Sequence, residues 1–401
     1  MGGLTPTITV VGIGADGHLN PEARALVGSA EVLLGGERHL ALVPAVPGQV
    51  RRPWPRPLAA LPDVLREHAG RTVVALASGD PLVSGIGTTL IRMLGAEAVA
   101  VVPAVSSVSL ARARMGWSAE ESAVVTLVGR DTDALRRELA PGRRLLVLSS
   151  DESTPAAVAA ILDETGFAAT AIHVLGDLGS ADETHTRYPG PGTVVPRLHV
   201  LALEVAGAGP ASWTPGLPDD AFEHDGQLTK RDVRASALSR LAPVPGALLW
   251  DVGAGAGSVG IEWLRAHPLT AAVAVEADPE RAARVGRNAA TLGVPRLEVV
   301  TGRAPDALAG LPRPDAVFVG GGATAPGLLD LCRDALAPGG RLVAHGVTLE
   351  TERLLVDAFH THGGELTRLA VEHVTPLGGR FTGWTPARAV VQWTWTKEPQ
   401  P

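Results

Sequence analysis

Short apolar runs recur along the whole chain, each stopping at glycine or turn residues and each followed by apolar positions at helical spacing. In the first half this pattern predicts strands at 7–11, 73–77, 98–102, 123–128, 145–148, 171–175 and 198–205. Helical segments lie between them. Asn20 followed by Pro21 marks one helix start, and 155–165 is the clearest helix. The second half gives seven strands, at 248–251, 272–276, 297–301, 315–319, 341–346, 366–373 and 388–396. Helices separate the first six. Residues 258–267 carry Val259, Ile261, Trp263 and Leu264 at helical spacing, and Asp278-Pro279 opens a helix that ends at Gly293. The last two strands are joined by a Gly/Pro loop at 376–386 with no helix, so they are predicted to be antiparallel. Strand and helix in alternation mean an α/β protein built on parallel sheets.

Gly207-Ala208-Gly209-Pro210-Ala211-Ser212 interrupts the alternation near the middle and reads as a linker. It divides the 401 residues into a domain at 1–206, a linker at 207–217 and a domain at 218–401. The formal charge is −7, and the first 206 residues hold 17 arginines against 21 carboxylates. Neither half has the basic face of a dedicated nucleic-acid binder. Only Lys230 and Lys397 break an all-arginine positive charge, and a GC-rich coding bias accounts for that. Cys332 is the single cysteine, in an apolar helical pattern, so packing is its expected role. A lone cysteine rules out a disulfide framework and a cysteine-based zinc site, and no other metal constellation stands out. No signal peptide or membrane-length apolar stretch is apparent, and a soluble cytoplasmic protein without a membrane partner is expected.

The chemistry concentrates where the strand at 248–251 runs into Asp251-Val252-Gly253-Ala254-Gly255-Ala256-Gly257. Glycines there let the backbone turn sharply and let a ligand approach it. Glu276, at the end of the next strand, stands where a doubly wound sheet places an acceptor for ribose hydroxyls. The spacing is not the Gly-x-Gly-x-x-Gly of pyrophosphate binders, and Asp251 would repel a pyrophosphate. Instead Asp251 could order the amine of S-adenosylmethionine, directly or through water. The glycines alone leave dinucleotide binding open; the reversed last strand speaks against a dehydrogenase domain.

Asp-x-Gly-x-Gly-x-Gly resembles the first motif of class I methyltransferases. Residues 217–226 (Leu-Pro-Asp-Asp-Ala-Phe-Glu-His-Asp-Gly), Leu228-Thr229-Lys230-Arg231-Asp232-Val233-Arg234, Thr301-Gly302-Arg303-Ala304-Pro305 and 314–321 resemble the decarboxylating methyltransferases of cobalamin biosynthesis. The first half resembles the tetrapyrrole (class III) methylases through Val11-Gly12-Ile13-Gly14, Ser78-Gly79-Asp80-Pro81, 103–107 (Pro-Ala-Val-Ser-Ser) and Leu175-Gly176-Asp177-Leu178-Gly179 with Glu183. Both sets in this order are similar to the fused precorrin methyltransferases. The resemblance implies a class III domain of two α/β subdomains followed by a class I Rossmann-like domain with a seven-stranded sheet. It implies S-adenosylmethionine as methyl donor in both, a tetrapyrrole partner and a homo-oligomer. The implied reaction is methylation of a reduced precorrin-6 at carbon 5 by the first domain and carbon 15 by the second, with loss of the ring C acetate carboxylate, giving precorrin-8.

Site roles follow from the same resemblance. Asp251, Gly253, Gly255 and Gly257 would surround the methionine part of the cofactor, Glu276 the ribose, and Gly302 and Ala304 the adenine, without the Asp often found there. Gly320, Gly321 and Gly322 could let a flat substrate lie over backbone, or simply close a loop. Thr229 and Lys230 match a Thr-Lys pair serving cofactor closure or a substrate carboxylate, with a helix N-cap at Thr229 as the plain alternative. His224 and His345, with Lys230, are the catalytic candidates for the meso proton or the carboxylate. In the first half Gly12, Gly14, Gly79, Asp80, Pro81, Ser106 and Ser107 would line the cofactor cleft. The run 51–56 (Arg-Arg-Pro-Trp-Pro-Arg) could meet substrate carboxylates, although a solvated loop suits it better. Three other readings compete: an RNA-modifying class I methyltransferase, one half reduced to a non-catalytic binding module, and a nicotinamide-dependent reductase.

Overall fold

The computed structural model describes residues 7–209 and 212–399; Pro210 and Ala211 of the expected linker lie outside them. The chain forms two compact units. One comprises the chain up to Thr132 together with Leu139–Gly209, and the other Asp133–Glu138 together with the chain beyond Gly209.

The first unit contains two five-stranded sheets. In the first sheet, β1 (Ile8–Ile13), β2 (Val32–Gly35), β3 (Val50–Pro53), β4 (Val73–Ser78) and β5 (Val99–Val102) run parallel in the order β3-β2-β4-β1-β5. β1 and β4 are central and almost continuously apolar, as strands covered on both faces must be. The second sheet is mixed, in the order β6-β7-β10-β8-β9, from β6 (Ser122–Thr126), β7 (Arg144–Leu148), β8 (Ala171–Gly176), β9 (Thr184–Arg187) and β10 (His199–Glu204). Only β6 and β7 are parallel there. The Asn20 signal is realised: its side chain accepts from Ala23 N at 2.8 Å, with Pro21 opening the helix Pro21–Ser29.

Three strands of this unit escape the hydrophobic pattern. β2 is four residues long, β9 (Thr-His-Thr-Arg) is an exposed edge without alternation, and β3 carries two arginines. The 51–56 run is therefore part strand and not a solvated loop. Arg51 donates to the Leu40 and Val43 carbonyls, and Arg52 pairs with Glu67 at 2.7 Å, so neither guanidinium is held for a substrate.

The second unit is one seven-stranded sheet. Its strands are β11 (Leu248–Val252), β12 (Ala271–Glu276), β13 (Glu298–Thr301), β14 (Ala316–Val319), β15 (Arg341–Gly346), β16 (Glu365–Leu369) and, after a hairpin of β17 (Glu372–Gly378) and β18 (Phe381–Pro386), β19 (Val390–Thr396). The order is β13-β12-β11-β14-β15-β19-β16, with β19 antiparallel to both neighbours as the helix-free connection requires. The hairpin corrects the expected loop at 376–386, and β16 ends at Leu369 rather than 373. Pro376, Gly378, Gly379, Gly383 and Pro386 read as breakers, yet the two strands pair only with each other and turn at Gly378-Gly379, both at positive φ.

Alternate residues of β11 enter opposite core layers. Leu249 packs with Val259, Trp263 and Phe318, whereas Trp250 and Val252 pack with Val273, Val317 and Cys332. Burial pushes the Cys332 thiol up to about 12, in keeping with packing. Among the described residues no helix is long and apolar enough to cross a membrane, and no group of three or more potential metal ligands occurs.

Candidate active sites

In the second unit, Gly253, Gly255 and Gly257 all have positive φ, which glycine alone adopts without strain. A Cβ on Gly253 would lie 2.7–2.9 Å from the Gly321 backbone, and one on Gly255 2.8 Å from the Gln227 carbonyl. Gly253 and Gly255, with Gly320, line a cavity of about 970 Å³ at the carboxyl ends of the strands. Gly257 does not line it; a Cβ there would strike Val285 at 2.6 Å, so this glycine seats the helix Ser258–Ala266 on the helix Pro279–Thr291.

Asp251 is displaced from its expected place against the ligand. Its carboxylate is buried behind the loop, where Oδ2 accepts from Gly260 N at 2.8 Å and Oδ1 has no protein partner. Burial, reinforced by the charge of Glu276, pushes its pKa up to about 7. Glu276 accepts from Gly255 N at 2.8 Å and from Asp278 N at 3.0 Å, tying the end of β12 to the glycine loop. Gly302 N donates to the Glu276 carbonyl at 2.8 Å, which brings the turn after β13 alongside. Ala304 turns into the core behind this edge and not toward the cavity.

The wall of the cavity is the strap 217–233, and its residues divide by role. Pro218, Asp219, Gln227, Leu228, Thr229, Lys230 and Arg231 line the space. Its anchors lie beneath. Arg234, fully buried, pairs with Glu262 at 2.7 Å and donates to the Leu217 and Thr229 carbonyls, while Glu262 accepts from Gly216 N and Leu217 N. Asn288 holds both the N–H and the carbonyl of Glu223, and Arg281 and Arg284 hold Asp225. Thr229 does not cap a helix; Lys230 occupies the N-cap position, makes no cap hydrogen bond, and stands 3.6 Å from Asp219. His224 is corrected as a catalytic candidate: it is exposed, accepts from Gly226 N in its own turn and does not line the cavity.

His345 does line it. The ring, on β15, lies opposite Gln392 of β19 in the sheet register, and its Nε2 is 2.9 Å from Gln392 Oε1. Phe318 meets it edge-on at 4.9 Å. Burial lowers its pKa to about 4, so the imidazole is neutral at pH 7, with Nε2–H donating to Gln392 Oε1. His373, on β17 of the hairpin, and Arg388, just after it, join the lining, although the sequence did not single them out.

The first unit encloses a cavity of about 1000 Å³ lined by both of its sheets. Gly14, Gly79 and Ser107 line it. Gly12 lies beneath: a Cβ there would fall 2.1 Å from the Gly79 carbonyl and 2.4 Å from Ala104 N. Asp80 and Pro81 are corrected to turn-builders, since Asp80 Oδ1 accepts from Leu82 N and Pro81 packs under Gly85 and Gly87. Ser106 is a buried N-cap accepting from Ser109 N at 3.1 Å, so its hydroxyl serves the helix Ser107–Met115. Arg38 and Ser78, 2.8 Å apart, and His199 line the cavity without having been predicted. Isolated arginines and histidines carry no sequence pattern that would have found them.

The described residues match two family models. Residues 7–190 match the tetrapyrrole (corrin/porphyrin) methylases, and residues 220–397 match the precorrin methyltransferase domain. A precorrin-6Y C(5,15)-methyltransferase [decarboxylating] of Sinorhizobium sp is 45% identical over 98% of this chain and 97% of its own. One of Mycobacterium tuberculosis is 43% identical over 97% of this chain and 100% of its own. A probable cobalt-precorrin-6B C(15)-methyltransferase (decarboxylating) of Pyrobaculum calidifontis is 38% identical over 44% of this chain and 93% of its own. With two whole-length relatives at this level, the chain belongs to the family of decarboxylating precorrin-6Y C(5,15)-methyltransferases.

Proposed function

We propose that the chain methylates a reduced precorrin-6 at carbons 5 and 15 and removes the ring C acetate carboxylate as carbon dioxide, using two molecules of S-adenosylmethionine. One observation carries the reading: each unit by itself encloses a cavity of about 970–1000 Å³ beside a turn where glycine backbone is packed too tightly for a side chain. Such volumes stand at the upper end for small-ligand sites, suiting a cofactor together with a macrocycle.

Bound S-adenosylmethionine supplies an electrophilic methyl group on a sulfonium. The chain's own work is to hold the enamine-like meso carbon in line with it and to keep water out. In the second unit, Gly253 and Gly255 offer backbone to the methionine part and Glu276 keeps free lone pairs for ribose hydroxyls. Asp251 serves from beneath, holding Gly260 N and with it the helix behind the glycine loop. The neutral Nδ1 of His345 is placed to take the meso proton. Lys230, Arg231 and Arg388 stand at the cavity as cations for peripheral carboxylates. Decarboxylation breaks the bond to the carboxylate carbon; its electron pair enters the conjugated ring, and a proton then completes the methyl group. We assign carbon 15 and decarboxylation to the second unit and carbon 5 to the first. A homo-oligomer in the cytoplasm belongs to the same reading, and the exposed Leu377, Phe381 and Trp384 of the hairpin support self-association.

Mass spectrometry of the products from reduced precorrin-6 tests this with three full-length chains. The parent should add two methyl groups and lose one carbon dioxide. Gly253→Val should add one methyl group and retain the carboxylate; Gly12→Val should lose the carbon-5 methylation alone. An unchanged substrate with the parent chain sinks the assignment, and decarboxylation by Gly253→Val sinks the division of labour.

A further inference from the structure

The first unit's cavity contains a buried histidine that the catalytic reading has so far left idle. His199 opens β10, is 8% exposed and lines the cavity. Its Nδ1 is 2.7 Å from the Pro196 carbonyl. A carbonyl only accepts, so Nδ1 carries the hydrogen and Nε2 presents a lone pair. That Nε2 is buried and has no protein partner. A buried polar atom without a partner is costly, and one kept at the wall of a ligand cavity is a site for chemistry. His345 in the second unit is likewise held through one nitrogen, by Gln392.

We propose that His199 is the proton acceptor for the methyl transfer in the first unit; the proposal rests on the reading of that unit as a meso-carbon methylase. A meso carbon bearing one hydrogen must lose it when it gains a methyl group. The carbon–carbon bond forms as the sulfur–methyl bond breaks, and the thioether leaves. The meso C–H bond then breaks, its electron pair restores the ring conjugation, and the proton passes to Nε2. Burial keeps the free imidazole below its usual range and hence neutral at pH 7, which a base requires. The carboxylates of Asp151, Glu152 and Asp177, which all act on His199 electrostatically, favour the imidazolium once it forms. Asp151 is itself a weaker base, held low by hydrogen bonds from Ser153.

The test uses the full chain with His199→Gln and His199→Ala, reduced precorrin-6 carrying deuterium at carbon 5, and S-adenosylmethionine. Calorimetric cofactor binding to the first unit should change by less than about 2-fold, and carbon-15 methylation with carbon dioxide release should be unaffected. Carbon-5 methylation should slow by roughly 100- to 10,000-fold. Added imidazole should restore part of the rate to His199→Ala but not to His199→Gln, whose side chain still fills the site. A rate and pH profile equal to the parent overturn the proposal. So does a slow variant that has lost cofactor binding and that imidazole does not rescue, since that marks a structural histidine. A parent chain that never methylates carbon 5 refutes the reading of the unit itself, a result separable from both.

Discussion

The two units solve one problem with different materials. Each ends an apolar parallel strand in glycines where a Cβ would fall within 3 Å of a neighbouring backbone, at Gly12 against Gly79 and at Gly253 against Gly321. Over that turn the first unit closes a second sheet, so its cavity wall is made of residues such as Leu148, Leu175 and Val200 that also belong to a packed core. The second unit closes a strap that is not part of any sheet and is fixed by Arg234, Glu262, Asn288 and the arginines of the helix Pro279–Thr291. A wall that is also core is placed largely by packing, with the Arg114–Glu183 pair tying its loop at Gly179. The strap buries Leu217 and Phe222 in the core, and charge and hydrogen bonding fix the polar residues around them.

The largest expected effect follows from that contrast. Arg234→Met leaves Glu262 buried and unpaired, and removing one partner of such a pair costs about 3–5 kcal/mol. Hydrogen exchange should show the strap and the helix Arg231–Leu241 losing protection while the first unit keeps its own. Equal loss in both units would break the comparison. Arg234→Met combined with Glu262→Leu should recover part of the loss, because no lone charge remains.

Next comes the response to acid. His345 has a folded pKa of about 4, below its unfolded value, so its contribution to stability is complete above about 6.5 and is lost as pH falls toward 4. Asp251 works in the opposite sense: raised to about 7, it makes the fold less stable as pH climbs from about 4 to 7. Each shift amounts to roughly 3–4 kcal/mol at most, so the second unit should be nearly level between pH 4 and 6.5. Thermal scans of Asp251→Asn should uncover the acid loss, and those of His345→Gln the loss toward neutrality. The first unit has His39, also lowered to about 4 by burial, and should be the more acid-labile. A level first unit would contradict this.

The smallest effect is at the outside of the strap. Arg287 and Glu223 are both about half exposed, so Arg287→Ala should lower stability only slightly, and less still at high salt. Urea titrations at two ionic strengths would reveal it. A cost as large as that of Arg234→Met would mean that the strap is held from its surface.

Strands buried on both faces were readable one by one, because β1, β4, β11 and β12 leave almost continuous apolar runs. The strands that escaped were short or polar: β2 has only four residues, β3 and β9 are polar edges, and the β17–β18 hairpin hides behind prolines and glycines that usually break strands. The site was legible as a set of motifs but not as a set of roles. Gly14, Gly79, Gly253, Gly255, Thr229, Lys230 and His345 do line cavities. Asp80, Ser106, Asp251 and Gly257, from the same motifs, build the turns and caps beneath, and His224 stays in its own turn.

By itself the sequence determined where the backbone must be bare, where two α/β units must divide, and which family both halves resemble. These are local properties, written in periodicity and in residues that only certain backbone conformations accept. The tertiary structure decided which carboxylate is buried, which ring nitrogen is left without a partner and which arginine is an anchor rather than a ligand. Those are set by the distance between groups far apart in the chain, such as Arg234 and Glu262 or His345 and Gln392, and distance in the fold is what a linear pattern does not contain.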